Sequence, residues 1–287
     1  MKSDSIPLIP SSDNHSEVSI DVQVTRLPVV CDVQLLSDLI EKNAVRVVDV
    51  RRVEEYYQEH IPSAVSLPLA KLLEHDSPTE TKEILESLGI EDGYPVVVYD
   101  DTFGALAARV AWSFQYIGHS NTALLQTTFN QWKKMGLQTE SIPNSFPRKQ
   151  HSLNINDKIY ADSTYVQTAQ NSPGKIIIDS RERLNYLTEH IPGAKNMPYT
   201  MIGGNGNVIR NSKDIERYIE NRGISNDTEI ITYCGSVGTL SGLTYYALKQ
   251  AGIKNVRLYS KSFKEWKSLG KPKEEINDAN YWDLSAE

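Results

Sequence analysis

Cys234 closes an apolar, β-branched run, Ile230-Ile231-Thr232-Tyr233, and is followed by Gly235-Ser236-Val237-Gly238-Thr239 before a helical pattern begins. A thiol at a strand's C-terminal end, under a helix N-terminus, meets backbone N–H groups and the positive end of the helix dipole. Both favour the thiolate. A free cysteine with a pKa of about 8.5 is only a few per cent thiolate at neutral pH, and a downward shift of about two units makes the anion the major form. The chemistry this offers is nucleophilic, covalent catalysis. The competing role for a lone cysteine is that of a small buried hydrophobe. Arg181 and Arg183 are the nearby cations suited to paired carboxylate or sulfonate-like oxygens. His60 is the acid–base candidate, with His190 behind it.

The elements that hold these residues occur twice. Val48-Asp49-Val50-Arg51 returns as Ile178-Asp179-Ser180-Arg181, and Glu59-His60-Ile61-Pro62 as Glu189-His190-Ile191-Pro192, both 130 residues later. Further on, Tyr99, Gly104, Phe129 and Trp132 return as Tyr233, Gly238, Phe263 and Trp266 at a spacing of 134 residues. A net insertion near Gly203-Gly204-Asn205-Gly206-Asn207 accounts for the step. The chain is two copies of one unit large enough for its own core. At the later spacing the twin of Cys234 is Asp100, so the thiol is the asymmetric element. A carboxylate there implies a solvent-facing position with chemistry kept in one copy only. By the same comparison Arg51 twins Arg181, a structural sign, whereas Arg183 twins Val53, which favours Arg183 as the substrate arginine. The paired histidines point first to a shared turn.

Each copy alternates strand and helix. Val45–Val50, Pro95–Tyr99, Thr122–Leu125, Lys175–Asp179, Glu229–Tyr233 and Val256–Tyr259 read as buried strands. Leu240, Leu243, Ala247, Leu248 and Ala251 form one helical face, as do Leu106, Val110, Phe114 and Ile117. This is the α/β pattern of a parallel sheet flanked by helices, with sites at strand C-termini. Residues 1–26 read as a loose N-terminal segment, 27–137 as the first copy, 138–158 as a linker and 159–287 as the second copy.

Composition narrows the class. The 287 residues carry a net charge of −7 with mixed signs, so no basic stripe for nucleic acid is expected. No run is long enough to span a membrane, and the start lacks a signal-peptide core. Two cysteines, one per copy, suit a reducing cytoplasm and support neither a disulfide framework nor a metal site. Cys31 reads as buried or capping.

Asp179-Ser180-Arg181, His190-Ile191-Pro192-Gly193-Ala194, the Cys234–Thr239 loop and Phe263-Lys264-Glu265-Trp266, in order and largely duplicated, resemble the tandem-domain rhodanese family of thiosulfate and 3-mercaptopyruvate sulfurtransferases. The resemblance spans about residues 28 to 270 and implies two rhodanese-like domains, the first inactive with Asp100 in place of cysteine. It implies an enzyme that moves sulfane sulfur from a small anionic donor, through a Cys234 persulfide, to a thiol or cyanide acceptor, a thioredoxin-like protein being one such thiol. No cofactor is called for. The loop Gly235, Ser236, Val237, Gly238 and Thr239 would cradle the persulfide with backbone N–H groups. The hydroxyl of Thr239 either joins that cradle or caps the helix. Relatives also cast the first-copy histidine, here His60, in proton transfer. Gly235-Ser236, with no basic residue in the loop, is similar to the mercaptopyruvate type. The Val237-Gly238 order departs from it, and a positive φ at Val237 would be strained. Ser260-Lys261-Ser262 also departs from the usual late loop. The competing reading is a rhodanese-like persulfide-relay or binding protein with little turnover of small donors. A Cys-dependent phosphatase would need an arginine where Leu240 stands.

Overall fold

The computed structural model describes residues 26–204, 206–225 and 227–276, so nearly all of the expected N-terminal segment lies outside the described residues. The first copy builds a five-stranded sheet from β1 (Val30–Cys31), β2 (Arg46–Asp49), β3 (Ala64–Ser66), β4 (Val96–Tyr99) and β5 (Thr122–Leu125). Its order is β1-β5-β4-β2-β3, with every pair parallel. The second copy uses β6 (Lys175–Asp179), β7 (Lys195–Asn196), β8 (Glu229–Tyr233) and β9 (Val256–Leu258) in the order β7-β6-β8-β9, again all parallel. A single parallel bridge, Tyr160 to Leu258, stands where the first copy has the β1–β5 pair. Val96-Val97-Val98-Tyr99 and Arg46-Val47-Val48-Asp49 are buried along their whole length. That is why the valines of these strands follow one another without polar alternation: helices cover both faces of a parallel sheet.

The helices of the first copy are α1 (Val33–Glu41), α2 (Val53–Gln58), α3 (Leu69–Glu74), α4 (Pro78–Ser87), α5 (Ala105–Tyr116) and α6 (Phe129–Lys134). Those of the second are α7 (Ser163–Ala169), α8 (Arg183–Thr188), α9 (Ser212–Glu220), α10 (Thr239–Gln250) and α11 (Ser262–Ser268). None of the described helices is long and apolar enough to cross a membrane.

One apolar face was expected on α5 and on α10, but both helices are buried almost all round. Each has its own sheet on one side and the other helix on the other. Ala107, Ala108 and Gly242 keep the contact close; a Cβ at Gly242 would stand 3.4 Å from the Ala108 carbonyl carbon. The core therefore runs unbroken from Val48 and Val98 through Val110 and Leu243 to Ile178 and Ile230. Each fully buried Val or Leu in it stabilises by about 1.5–3 kcal/mol.

Two further connections tie the copies. Residues 138–158 lie along the first copy as a hydrogen-bonded strap: Glu140 bridges His60, Asn144 donates to Ala64 O at 3.0 Å, Arg148 pairs with Glu86 at 2.5 Å, and Asn154 N donates to Ile117 O at 3.0 Å. Beyond the insertion, Val208 N donates to Gln126 O at 2.8 Å, and the Gln126 side chain donates to Ile209 O at 2.9 Å. Val208 fills the space a Cβ would need at Gly104, and Tyr199 stacks on Phe103 at 5.1 Å.

Candidate active site

β8 ends at Tyr233, and Cys234 is the next residue. Gly235, Ser236 and Val237 are exposed above it, and Gly238, with φ +78, is the N-cap of α10. The sulfur is not solvent-facing as expected: Cys234 is 2% exposed. The strand end carries it beneath the loop, so the exposed residues are the three that follow. Cys234 N donates to Ser262 Oγ at 3.1 Å, Cys234 Sγ lies 3.6 Å from the same oxygen, and Ser262 Oγ donates to Tyr259 O at 2.9 Å. Phe263 N and Lys264 N donate to Cys234 O and Gly235 O at 3.1 and 2.9 Å. The late loop, despite its unusual letters, thus clamps the cysteine from behind. Ser262 holds a left-handed φ of 57 to do so.

The first copy shows what such a loop can bind. Asp100 is 1% exposed, which corrects the solvent-facing expectation for this position as well. Its carboxylate accepts from the N–H groups of Thr102, Gly104, Leu106 and Ala107 at 2.9, 2.8, 2.8 and 3.0 Å. Gly104 is a left-handed N-cap at φ +87, the counterpart of Gly238, and Phe129 N donates to Asp100 O at 3.0 Å as Phe263 does to Cys234 O. The twins of the four donors are Ser236, Gly238, Leu240 and Ser241. Val237 is not among the residues with positive φ. Gly238 takes that conformation, so the Val237-Gly238 order carries no strain at the valine. Thr239 is the first helical residue rather than the cap, and α10 has no side-chain cap bond.

Two cavities open beside the loop. One, of about 630 Å³, is lined by Arg181, Asn185, Tyr199, Ser236, Lys264 and Lys267 among others. The other, of about 290 Å³, lies between the copies against Asp76, Arg109, Val237, Ser260 and Lys261. Ser236 and Lys264 border both.

Arg181 is held in the structural way that its twin implied. It grips Asp179 at 2.6 Å and donates to Glu189 O at 2.7 Å, repeating Arg51 on Asp49 and Glu59 O at the same distances. Burial pulls the guanidinium pKa down, but the hydrogen bond and charge of Asp179 outweigh it, and the net shift is upward. Arg181 also borders the larger cavity. Arg183 opens α8, is half-buried, has contacts of its own and is not on the cavity wall. His60 is fully buried, stacked on Tyr56 at 4.0 Å with Nδ1 2.7 Å from Tyr56 O, and borders neither cavity. His190 repeats the arrangement on Tyr186. Cys31 is buried; desolvation, then the charge of Asp32, pushes its thiol up to about 12. It is therefore inert at neutral pH.

Sequence reasoning missed Ser262, Lys264 and above all Arg109. Arg109 sits on α5, 4% exposed, and its Nε donates to Val237 O at 2.8 Å across the boundary between copies. One signal was available: its twin is Leu243, an apolar helix position that a cation would not occupy for packing alone.

A family model described as the rhodanese-like domain matches residues 32–135 and again 162–269. The chain is 27% identical over 244 residues to a probable 3-mercaptopyruvate sulfurtransferase of Schizosaccharomyces pombe, covering 76% of this chain and 80% of that one. It is 29% identical over 259 residues to a thiosulfate sulfurtransferase of Azotobacter vinelandii, covering 84% and 94%. The crystal structure of SseA, a 3-mercaptopyruvate sulfurtransferase of Escherichia coli, superposes with a TM-score of 0.73 at 24% identity, covering 83% of this chain and 99% of that one. At that identity the superposition speaks for the fold alone.

Proposed function

The chain belongs to the rhodanese family, and from that premise we propose that it is a sulfurtransferase whose nucleophile is Cys234 and whose donor is 3-mercaptopyruvate in preference to thiosulfate. The observation that carries the reading is the pair of loops: one copy holds a carboxylate on four backbone N–H groups, and the other places a thiol at the same strand end. A loop that binds one anion at this point is suited to hold another. The N–H groups of Ser236, Gly238, Leu240 and Ser241 are the matching donors for thiolate and persulfide.

The reaction is a double displacement. The Cys234 thiolate attacks the donor's sulfur; an S–S bond forms, the donor's C–S bond breaks, and its electron pair leaves on carbon as the enolate of pyruvate, which takes up a proton. An acceptor thiolate or cyanide then attacks the outer sulfur, and the Cys234 thiolate departs. The Ser262 hydroxyl, which in the resting arrangement donates to Tyr259 O, lies close enough to turn its proton toward an anionic sulfur. The cavity lined by Arg181, Lys264 and Lys267 suits the donor carboxylate. Arg183, which opens α8 off that wall, is not among the groups assigned to the donor. The absence of a cation within Gly235–Thr239 is what favours a monocarboxylate over a sulfonate-like dianion.

The test is intact-protein mass after exposure to each donor, with steady-state release of pyruvate and sulfite. The expected result is a gain of about 32 Da, one sulfur, on Cys234, its loss in Cys234→Ser, and faster turnover of mercaptopyruvate. A chain that gains no sulfur from any donor refutes the reading, and faster thiosulfate turnover refutes the donor assignment.

A further inference from the structure

Resting on the sulfurtransferase reading, we infer that Arg109, which the first copy sends into the second copy's loop, is a positioning residue for the Cys234 sulfur. It orients the Val237–Gly238 peptide and places a buried positive charge beside the thiolate.

The orientation follows from peptide geometry. Arg109 Nε donates to Val237 O at 2.8 Å. That carbonyl and the Gly238 N–H belong to one planar trans peptide and point in opposite directions. Holding the oxygen toward the first copy turns the Gly238 N–H the other way, toward the loop interior. In the first copy the twin N–H, that of Gly104, is bonded to Asp100 at 2.8 Å. The stem of Arg109 packs against the same point, since a Cβ at Gly238 would stand 3.4 Å from Arg109 Cδ.

The charge argument is independent. Ser113 Oγ holds Arg109 Nη1, and the Trp112 ring lies 5.3 Å away, but neither is an anion. Its ion-pair partner is Asp76, 3.9 Å away and itself 56% exposed. A buried guanidinium needs a closer counter-charge than that. Burial pulls its pKa down to about 10, and the charges of Asp76 and then Cys234 oppose the fall. The other charged groups lining the two cavities beside the loop are Lys261, Lys264, Glu265 and Lys267 on the late loop and α11, Arg181, which is committed to Asp179, Glu189, which is paired with Lys267 and Lys273, and Glu182, which is bonded to Tyr199 in the cavity that does not include Arg109. Glu265 is engaged by Tyr259 at 2.8 Å and Lys261 at 3.4 Å. The anion left to complete Arg109 is the Cys234 thiolate or its persulfide.

The experiment measures the pH dependence of Cys234 alkylation by iodoacetamide, followed by intact mass, in the unmodified full chain, Arg109→Gln and Arg109→Lys. Mercaptopyruvate turnover is measured alongside. In Arg109→Gln the apparent thiol pKa is expected to rise by about one unit, a tenfold loss of thiolate at a given pH below it. kcat should fall at least about tenfold with KM changed less than about threefold. Arg109→Lys, which keeps the charge but loses the planar donor, should recover most of the pKa and only part of kcat. An unchanged alkylation profile with kcat within twofold overturns the inference, as does a change confined to KM. Should Arg109→Gln fail to fold, Asp76→Asn leaves Arg109 in place and removes its competing anion. The thiol pKa must then fall, and an unchanged or higher value overturns the inference. A chain that alkylates as expected but never takes up sulfur refutes the sulfurtransferase reading while leaving the role of Arg109 intact.

Discussion

Replacing Asp100 by alanine tests whether these loops are built around an anion. The substitution removes four hydrogen bonds of 2.8 to 3.0 Å. The N–H groups of Gly104 and Ala107 are donors of buried bonds, whereas those of Thr102 and Leu106 are partly open to water. Each buried donor left without a partner costs about 1–3 kcal/mol, and the partly open pair costs little once hydrated. Burial, the larger influence on Asp100, holds its carboxyl above the usual range, so relief of that burial offsets part of the loss. The net destabilisation is about 2–4 kcal/mol. In a chain of this size that is a fall in Tm of roughly 5–15 °C, read by circular dichroism at pH 7. Asp100→Asn should cost nearly as much, because its NH2 group would face other donors. Sulfate should restore part of the loss in Asp100→Ala and do much less for the unmodified chain. A shift within about 1 °C for Asp100→Ala, with no response to sulfate, would refute the view that the loop needs an anion, and with it the main support for the Cys234 cradle.

Other perturbations probe separate links. His119 is pulled down to about 4, first by burial and then by the charge of His151, against its bonds to Tyr94 O and the field of Asp92. A folded pKa below the unfolded value of about 6.5 gives stability that is present above pH 6.5 and lost as pH falls toward 4, about 3 kcal/mol in all. Urea titrations across that window should show the loss, and His119→Gln should flatten it. Gly238→Ala forces a side chain into φ +78 with its Cβ 3.0 Å from Ser260 Cα. About 1–2 kcal/mol of stability and a larger share of kcat should go with it, read by thermal melts beside turnover. Arg51→Lys and Arg181→Lys each keep the charge but lose the two-point grip on a buried aspartate and the bond to a glutamate carbonyl, so each should cost about 1–3 kcal/mol. KM for mercaptopyruvate should rise only for Arg181→Lys, because Arg181 alone of the two borders the larger cavity.

Much of this architecture was legible because the chain repeats itself. Strand runs such as Val96-Val97-Val98-Tyr99 and Ile230-Ile231-Thr232-Tyr233 carry the parallel sheets, and twin residues such as Trp132 and Trp266 end in twin bonds, to Gln138 O at 2.8 Å and Pro272 O at 2.7 Å. Depth was harder to read. Periodicity reports which face of an element is apolar, but a strand's last residue has no face of its own. Asp100 and Cys234 were therefore placed in solvent when the following turn covers them. The second buried face of α5 and α10 escaped notice because Ala107, Ala108 and Gly242 are small rather than apolar in pattern. Arg109 is hard to read from sequence because it arrives from the other copy, 128 residues earlier in the chain than Val237. Its leucine twin was visible all along.

The two copies exchange parts in both directions. Arg109 of the first holds the second copy's loop, while Val208 and Tyr199 of the second close over the first copy's loop at Gly104 and Phe103. This bears on how the chain comes into being. As the first copy leaves the ribosome, α5 presents an apolar flank and a guanidinium that have nothing yet to meet, and both must wait for α10. The halves should therefore melt in one transition, and neither should be well behaved when made alone.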